Sequence, residues 1–408
     1  MHRTVLELPR APINPASRAF CERKYEYYEV LREQAPVYRG RLAIIKFHLL
    51  SRYDDCLALL KDPRFVRNRT TATGGGRMPF PMPKSLALLS ESLIVEDDPA
   101  HRRLRNLVSK AFTPHAIDRL STRIESLTHE LLDRAEKKGT VDLQSSYCLP
   151  IPVTVISELV GLDPRDMPEF QRIMNVLTKG FSGWTLFRSL FWDLRGAIRM
   201  MRTLIAKKRT HPGEDILTGL IHAEEEGDSL SEDELLSFVF LLVVAGYETT
   251  VHLITNGVVA LLDHPEQLAR LREQPELMGT AVEEVIRYRG SVQGTKLNYA
   301  TENVRLHGVE IPRGTAVIPL LGAANHDPRA FEHPERFDIA RSPNKHLGLG
   351  FGAHFCLGAQ LARMETKIAL TTLLARYPDL RLAVDRDQLE LVHMPFWHRY
   401  ASLPVELR

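Results

Sequence analysis

Along most of the chain apolar residues recur at three- and four-residue spacing, the mark of amphipathic helices. This pattern predicts helices over residues 25–34, 53–60, 116–138, 152–160, 167–179, 265–273, 278–288 and 357–375, and another starting at Asp97-Asp98-Pro99. Short alternating runs predict strands at 37–38, 42–47, 298–300, 304–306, 309–311 and 316–319, and a hairpin over 389–405 with Met394-Pro395-Phe396-Trp397 at its turn. Ser231-Glu232-Asp233-Glu234 is a capping box, and the pattern it opens runs to about Asp263, a helix of about 45–50 Å. No repeat or low-complexity linker divides the chain. The expectation is one domain over 1–408, mainly α with small β-sheets.

Three stretches break the pattern. Thr70 to Gly76 and Pro79 to Pro83 are predicted to form no regular helix, and so long a loop is a mobile surface segment or a binding loop. Residues 181–194 are crowded with large apolar side chains after a break at Gly180–Gly183, as core packing or as a hinged lid. Inside the long helix, Ala245-Gly246-Tyr247-Glu248-Thr249-Thr250 sets a glycine, an acid and two threonines in an apolar run. Gly and Thr weaken helices, so a local opening beside an acid is expected, either as a capped kink or as a route for protons.

Composition adds little: 44% hydrophobic residues, 25% charged and a net charge of +2 give no footprint for nucleic acid. The four cysteines (Cys21, Cys56, Cys148, Cys356) form no C-x-x-C pair, which argues against a disulfide framework or a zinc site. With no N-terminal apolar segment and no run long enough to span a bilayer, the chain reads as soluble, cytoplasmic and without a membrane span. Glu284 and Arg287 share a helix face, as do His101 and Arg105. Alone, each pair is as well explained by a solvated surface.

The chemistry concentrates in Leu349-Gly350-Phe351-Gly352-Ala353-His354-Phe355-Cys356-Leu357-Gly358, a glycine-rich loop ending in a cysteine that opens an apolar helix. Glycines let backbone approach a large group, and a helix N-terminus favours a thiolate. A buried structural cysteine is the ordinary reading of a lone Cys. A metal ligand is the sharper one, with haem iron a candidate because an axial thiolate favours O–O cleavage.

Taken together, Ala245–Thr250, Glu284-Val285-Ile286-Arg287, Pro334-Glu335-Arg336-Phe337 and the Cys356 loop occur in the order and spacing of the soluble bacterial cytochromes P450, which the chain resembles over nearly its whole length. The resemblance implies that fold, with haem b between a long distal helix and the proximal cysteine loop. It makes Cys356 the axial thiolate and Glu248 and Thr249 the proton relay. Glu284, Arg287 and Arg336 become a structural triad. His101, Arg105 and His354 would bind the haem propionates, with Ala245, Gly246, Leu349, Gly350 and Gly358 also against the haem. Phe80, Met82, Phe181, Val244, Val292, Thr295, Lys296, Phe396 and Trp397 would line the substrate pocket. Two positions depart from the family. Leu349 replaces the usual Phe and lacks its ring contact. Asn298 stands where an Arg commonly pairs with a propionate, leaving that propionate less neutralised or compensated by Lys296.

The implied function is a monomeric monooxygenase inserting one atom of O2 into a hydrophobic small molecule, by C–H hydroxylation or epoxidation. Electrons would come from NAD(P)H through a separate ferredoxin-type donor and its reductase. Arg102, Arg103, Lys110 and Arg363 offer a basic docking face. Oxidative coupling, desaturation or peroxide-driven oxidation on the same haem is the alternative, as is a non-enzymatic haem sensor or carrier. The acid–threonine pair favours oxygen chemistry, since a sensor needs no buried acid.

Overall fold

The computed structural model describes residues 6–76, 92–112, 114–136, 139–163, 165–166, 194–225 and 227–408. The predicted helix 167–179, the aromatic segment up to residue 193, and Phe80, Met82 and Phe181 lie outside them. The chain divides into two compact units: Met1–Gly75, Glu125–Cys148 and Thr249–Arg408 form one, and Gly76–Ile124 and Leu149–Glu248 the other. Each unit is discontinuous in sequence, and two boundaries fall inside helices, Pro114–Glu136 and Glu232–Asp263, so no linker marks them.

The first unit holds eight strands in its two larger sheets: β1 (Val37–Leu42), β2 (Ile45–Leu50), β3 (Phe65–Val66), β4 (Thr140–Asp142), β5 (Asn298–Ala300), β6 (Ala316–Pro319), β7 (Arg381–Leu382) and β8 (Pro404–Glu406). Five of them run in the order β1-β2-β6-β5-β3, and the other three in the order β7-β8-β4. β6 runs parallel to β2, with Ala316 opposite Phe47, and antiparallel to β5. Alternate residues of the five-stranded sheet enter two cores. Phe47, Leu49, Tyr299, Ala316 and Ile318 join one, and Leu50, Ala300 and Val317 the other. With both faces covered, β6 is buried at every position, as its continuous apolar run requires. Gly40 in β1 makes room for Phe47, whose ring would lie 2.2 Å from any Cβ there.

Two helices of this unit, Met278–Arg289 and Ala359–Arg376, pack against each other. The second starts three residues past Cys356 rather than at it, because Gly358 takes the N-cap position. Arg69–Thr73 forms a short helix where none was expected. Asn68 caps its start by accepting from the Thr70 N–H, and Gly74, at φ 71°, ends it in the left-handed region.

In the second unit the helix Ala100–Ala111 packs on Ile216–Ile221. Phe112 meets Phe238 edge-on at 6.2 Å. Arg123 donates to Glu158, and Arg103 to Asp228 and Glu234.

The helix Glu232–Asp263 runs through both units. The Ser231 hydroxyl accepts from the Glu234 N–H, and the Glu234 carboxylate accepts from the Ser231 N–H, closing the predicted capping box. This helix is long and apolar enough to cross a membrane, but 67% of its most apolar window is buried inside the protein. Its 32 residues are helical throughout, Ala245–Thr250 included. Gly246 serves close packing: a Cβ would lie 2.6 Å from the Ile156 side chain.

Candidate active site

The cysteine loop is shaped by Gly350 (φ 76°) and Gly352 (φ 70°), both in the left-handed region. The Cys356 N–H donates to the Leu349 carbonyl at 2.9 Å and the Phe355 N–H to the Gly352 carbonyl at 3.0 Å, so the loop folds back on itself. A Cβ on Gly352 would sit 2.7 Å from the Leu60 carbonyl oxygen. Cys356 is half-buried, whereas Cys21, Cys56 and Cys148 are buried. Burial raises all three buried thiols, that of Cys148 to about 12. Only Cys356 combines access, a following helix N-terminus and a nearby guanidinium, that of Arg363. In the same loop Phe351 and Phe355 are 39% and 38% exposed, an apolar surface unusual for a loop.

Arg363 is fixed by a second cluster. Its guanidinium donates to Glu283 at 2.6 and 2.8 Å, and His346 lies 3.1 Å from the same carboxylate. Burial works against ionisation of Glu283, but the hydrogen bonds from His346 and Arg363 overcome it and bring its pKa to about 2 from 4.5. A lowered folded-state pKa stabilises above the unfolded value. The Glu283 contribution is therefore full above pH about 4.5 and is lost as the pH falls towards 2. Urea midpoints measured across this window should drop less steeply in Glu283→Gln than in the parent. Parallel curves would refute the assignment.

Glu284 and Arg287 form a forked pair, with Arg287 Nε and Nη2 each 2.8 Å from a carboxylate oxygen and both side chains inaccessible. The second cation, and third member of the cluster, is Arg341, whose Nε lies 3.2 Å from both Glu284 oxygens. This corrects the expected triad: the Arg336 side chain is 71% exposed, and its contribution is a main-chain carbonyl accepting from Arg287 and Arg341. The turn through Pro334–Arg336 directs the backbone inward, so the arginine five residues later reaches the carboxylate. Asp338 N–H and Asn344 Nδ2 complete the shell around Glu284. Arg341 was missed because no helical or strand period links positions 57 apart.

The other predicted residues fall as follows. His101 is buried and Arg105 half-buried on the helix Ala100–Ala111; burial first, then Arg105, lowers the His101 pKa. Val244, Glu248 and Thr249 are half-buried and Ala245 exposed on the long helix, while Thr250 is buried. Leu349, Gly350, His354 and Gly358 belong to the cysteine loop and are half-buried. Val292, Thr295, Lys296, Phe396 and Trp397 are brought together: Val292 pairs with Trp397, the Gln293 N–H donates to the Phe396 carbonyl, and Gly294 lies against the Phe396 ring. Phe396 is at φ 63°, a strained conformation for an aromatic residue at the hairpin tip. Lys24, buried, donates to the Trp397 carbonyl at 2.7 Å; nothing in the sequence pointed to it. Three of the four basic residues suggested for docking are held by acids: Arg102 by Asp98, Arg103 by Asp228 and Glu234, and Arg363 by Glu283. Asn298 is buried and bound to protein groups.

Among the described residues no three His, Cys, Asp or Glu side chains gather as a metal site. A lone accessible thiol at the end of a glycine-shaped loop that also exposes two aromatic residues instead fits a planar, largely apolar group that brings its own metal ligands, as a porphyrin does. Comparison with known proteins agrees. The family model for cytochrome P450 matches residues 194–382. The polyketide biosynthesis cytochrome P450 PksS of Bacillus subtilis is 40% identical over 97% of this chain and 98% of its own length, and its solved structure matches with a TM-score of 0.90. The 6-deoxyerythronolide B hydroxylase of Saccharopolyspora erythraea is 36% identical over 94% of this chain and 96% of its own. P450BioI, solved with an acyl carrier protein bearing hexadec-9Z-enoic acid, is 36% identical, covers 96% of this chain and 100% of its own, and has a TM-score of 0.87. The chain belongs to the cytochrome P450 family. It has that fold, it is an oxidoreductase of the monooxygenase type acting on hydrophobic molecules, and its cofactor is haem b.

Proposed function

We propose that the protein inserts one atom of O2 into a hydrophobic small molecule by C–H hydroxylation or epoxidation, with electrons from NAD(P)H delivered through a separate ferredoxin-type donor. The observation that carries this reading is the adjacent acid and hydroxyl, Glu248 and Thr249, half-buried midway along an otherwise apolar 32-residue helix. Haem b, when bound, supplies the reductive activation of O2. Cys356 would hold its iron and His354 a propionate. The half-exposed Cys356 and the neighbouring Arg363 support a thiolate at this position.

Thr249 Oγ1 offers a hydroxyl that donates to an oxygen atom and is re-protonated from its neighbour. The Glu248 carboxyl carries that proton in from solvent by rotating about its side-chain bonds. Such a relay needs an acid that is neither fully buried nor fully exposed, as Glu248 is. Val292, Phe396 and Trp397 supply apolar wall, which binds an apolar molecule and excludes water from it. The relatives named for polyketide and macrolide work, and the one holding a fatty-acyl carrier, support a long aliphatic or polyketide substrate.

Thr249→Ala tests the relay. NAD(P)H consumption should continue while product per NAD(P)H falls by about tenfold or more and peroxide accumulates. Unchanged product yield would remove Thr249 from the mechanism. A protein that gives no product with any electron donor, yet changes its ligand response normally, would favour the sensor reading.

A further inference from the structure

The apolar wall contains one charge out of keeping with it. Lys296 lies at the end of the segment Val292–Lys296, which runs beside the Phe396-Trp397 tip. Its neighbour Leu297 packs with Phe396, Val66 and Tyr299 in one apolar cluster. The Lys296 side chain is accessible. Yet burial is the leading cause that lowers its pKa, followed by the Arg67 guanidinium. The ammonium is thus flanked by protein and by a second cation while its side chain stays open to a ligand.

Its placement follows from the sheet. Strand β3 pairs antiparallel with β5, Phe65 opposite Ala300 and Val66 opposite Tyr299. Arg67, just past β3, and Lys296, just before β5, therefore emerge at the same sheet end. Arg69 is also near, since its charge acts on Tyr299. The turn that presents Lys296 is fixed through its backbone. Asn298 Nδ2 donates to the Lys296 carbonyl at 3.0 Å and to Thr295 Oγ1 at 3.1 Å; Thr295 Oγ1 donates to the same carbonyl at 2.8 Å; and the Thr295 N–H donates to the Pro319 carbonyl at 3.2 Å. The amide of Asn298 is thus engaged in holding the turn. Among the described residues the one charge acting on Lys296 is another cation, and no carboxylate pairs with it.

We propose that Lys296 is the binding site for a carboxylate, that of a substrate otherwise apolar, such as a free long-chain acid. The inference rests on the monooxygenase reading above and narrows its substrate class. An ammonium that is desolvated, repelled by Arg67 and without an acid partner among the described residues gains most from an anion. An ester or thioester offers it only a neutral acceptor, and a charge-assisted hydrogen bond is about twice as strong as a neutral one. The acid would enter with its headgroup at Lys296 and its chain along Val292, Phe396 and Trp397, which sets which carbon is presented for reaction.

Titration of the haem-loaded protein with saturated acids of eight to eighteen carbons and with their methyl esters tests this, read by the haem Soret shift and by calorimetry. The parent should bind the best acid about 10- to 100-fold more tightly than its ester. Lys296→Met should bring the acid down to the affinity of the ester and leave the ester unchanged, and Lys296→Arg should keep most of the preference. Equal affinity for acid and ester in the parent, a preference that survives Lys296→Met, or no binding of any acid would each overturn the proposal. A haem propionate is the other source of such a carboxylate. If it is the partner, Lys296→Met will speed haem transfer to apomyoglobin and leave the acid-to-ester ratio untouched, which also overturns the proposal. Acid binding through Lys296 without oxygenated product under any electron supply would leave this site standing and refute the proposed function instead.

Discussion

Arg287→Leu is expected to fail to accumulate as a folded, haem-loaded protein. Arg287 is 1% exposed and makes five hydrogen bonds: two to Glu284 and one each to the carbonyls of Asn325, Pro334 and Arg336. Leucine would leave the Glu284 carboxylate buried with Arg341 as its remaining cation, and would strip the Asn325 and Pro334 carbonyls of this donor, while the Arg336 carbonyl keeps Arg341. Removing one partner of a buried pair costs about 3–5 kcal/mol, and each unmet buried acceptor adds about 1–3. Even with heavy non-additivity the loss rivals a typical total stability of about 5–15 kcal/mol. Arg287→Lys keeps the charge but not the fork, so it should retain part of the stability. Urea unfolding of the apoprotein and haem content after expression measure both. A parental midpoint in Arg287→Leu would show that the hub does not hold the fold.

The second large effect belongs to Cys356. Cys356→Ser should fold, because the hydrogen bonds shaping the loop come from the backbone: Gly350 N–H to the Leu347 carbonyl, Phe355 N–H to that of Gly352 and Cys356 N–H to that of Leu349. Function should nonetheless vanish. A serine hydroxyl ionises far less readily than a thiol and lacks its soft sulfur, so the reduced CO complex should lose its thiolate character and oxygenated product should fall below detection. No other cysteine can take over, since Cys21, Cys56 and Cys148 are buried and their thiols are pushed up by burial. A thiolate-type CO complex in the serine variant would therefore contradict the site assignment directly.

Local chemistry was legible in the sequence. Ser231 and Glu234 announced the long helix, short apolar runs announced β5 and β6, and Gly350 and Gly352 announced a loop shaped for close approach. Contacts set by the path of the chain were not legible. Arg336 and Arg341 are both arginines in a polar, proline-rich stretch, and only the turn through Pro334–Arg336 decides which one meets Glu284. Arg69–Thr73 reads as a glycine-terminated loop until Asn68 and Gly74 are seen to cap it. The weak helix formers at Gly246, Thr249 and Thr250 suggested an opening. Packing against Ile156 and the burial of Thr250 let tertiary contacts override propensity there. The character of Lys296 also emerges only in three dimensions, once Asn298 is seen holding its turn.

The hub around Glu284 also has a consequence for synthesis on the ribosome. Arg287 bonds to carbonyls 38, 47 and 49 residues downstream, and Glu284 to groups up to 60 residues downstream. A nascent chain emerging at 5–20 residues per second thus carries this charged pair without its partners for about 3–12 s. The partners are complete only at Asn344, just before the cysteine loop is made. Capture of the cofactor is thereby ordered after closure of the hub, and a chain stalled before Asn344 exposes an unfinished polar core to proteolysis instead of a half-built haem site.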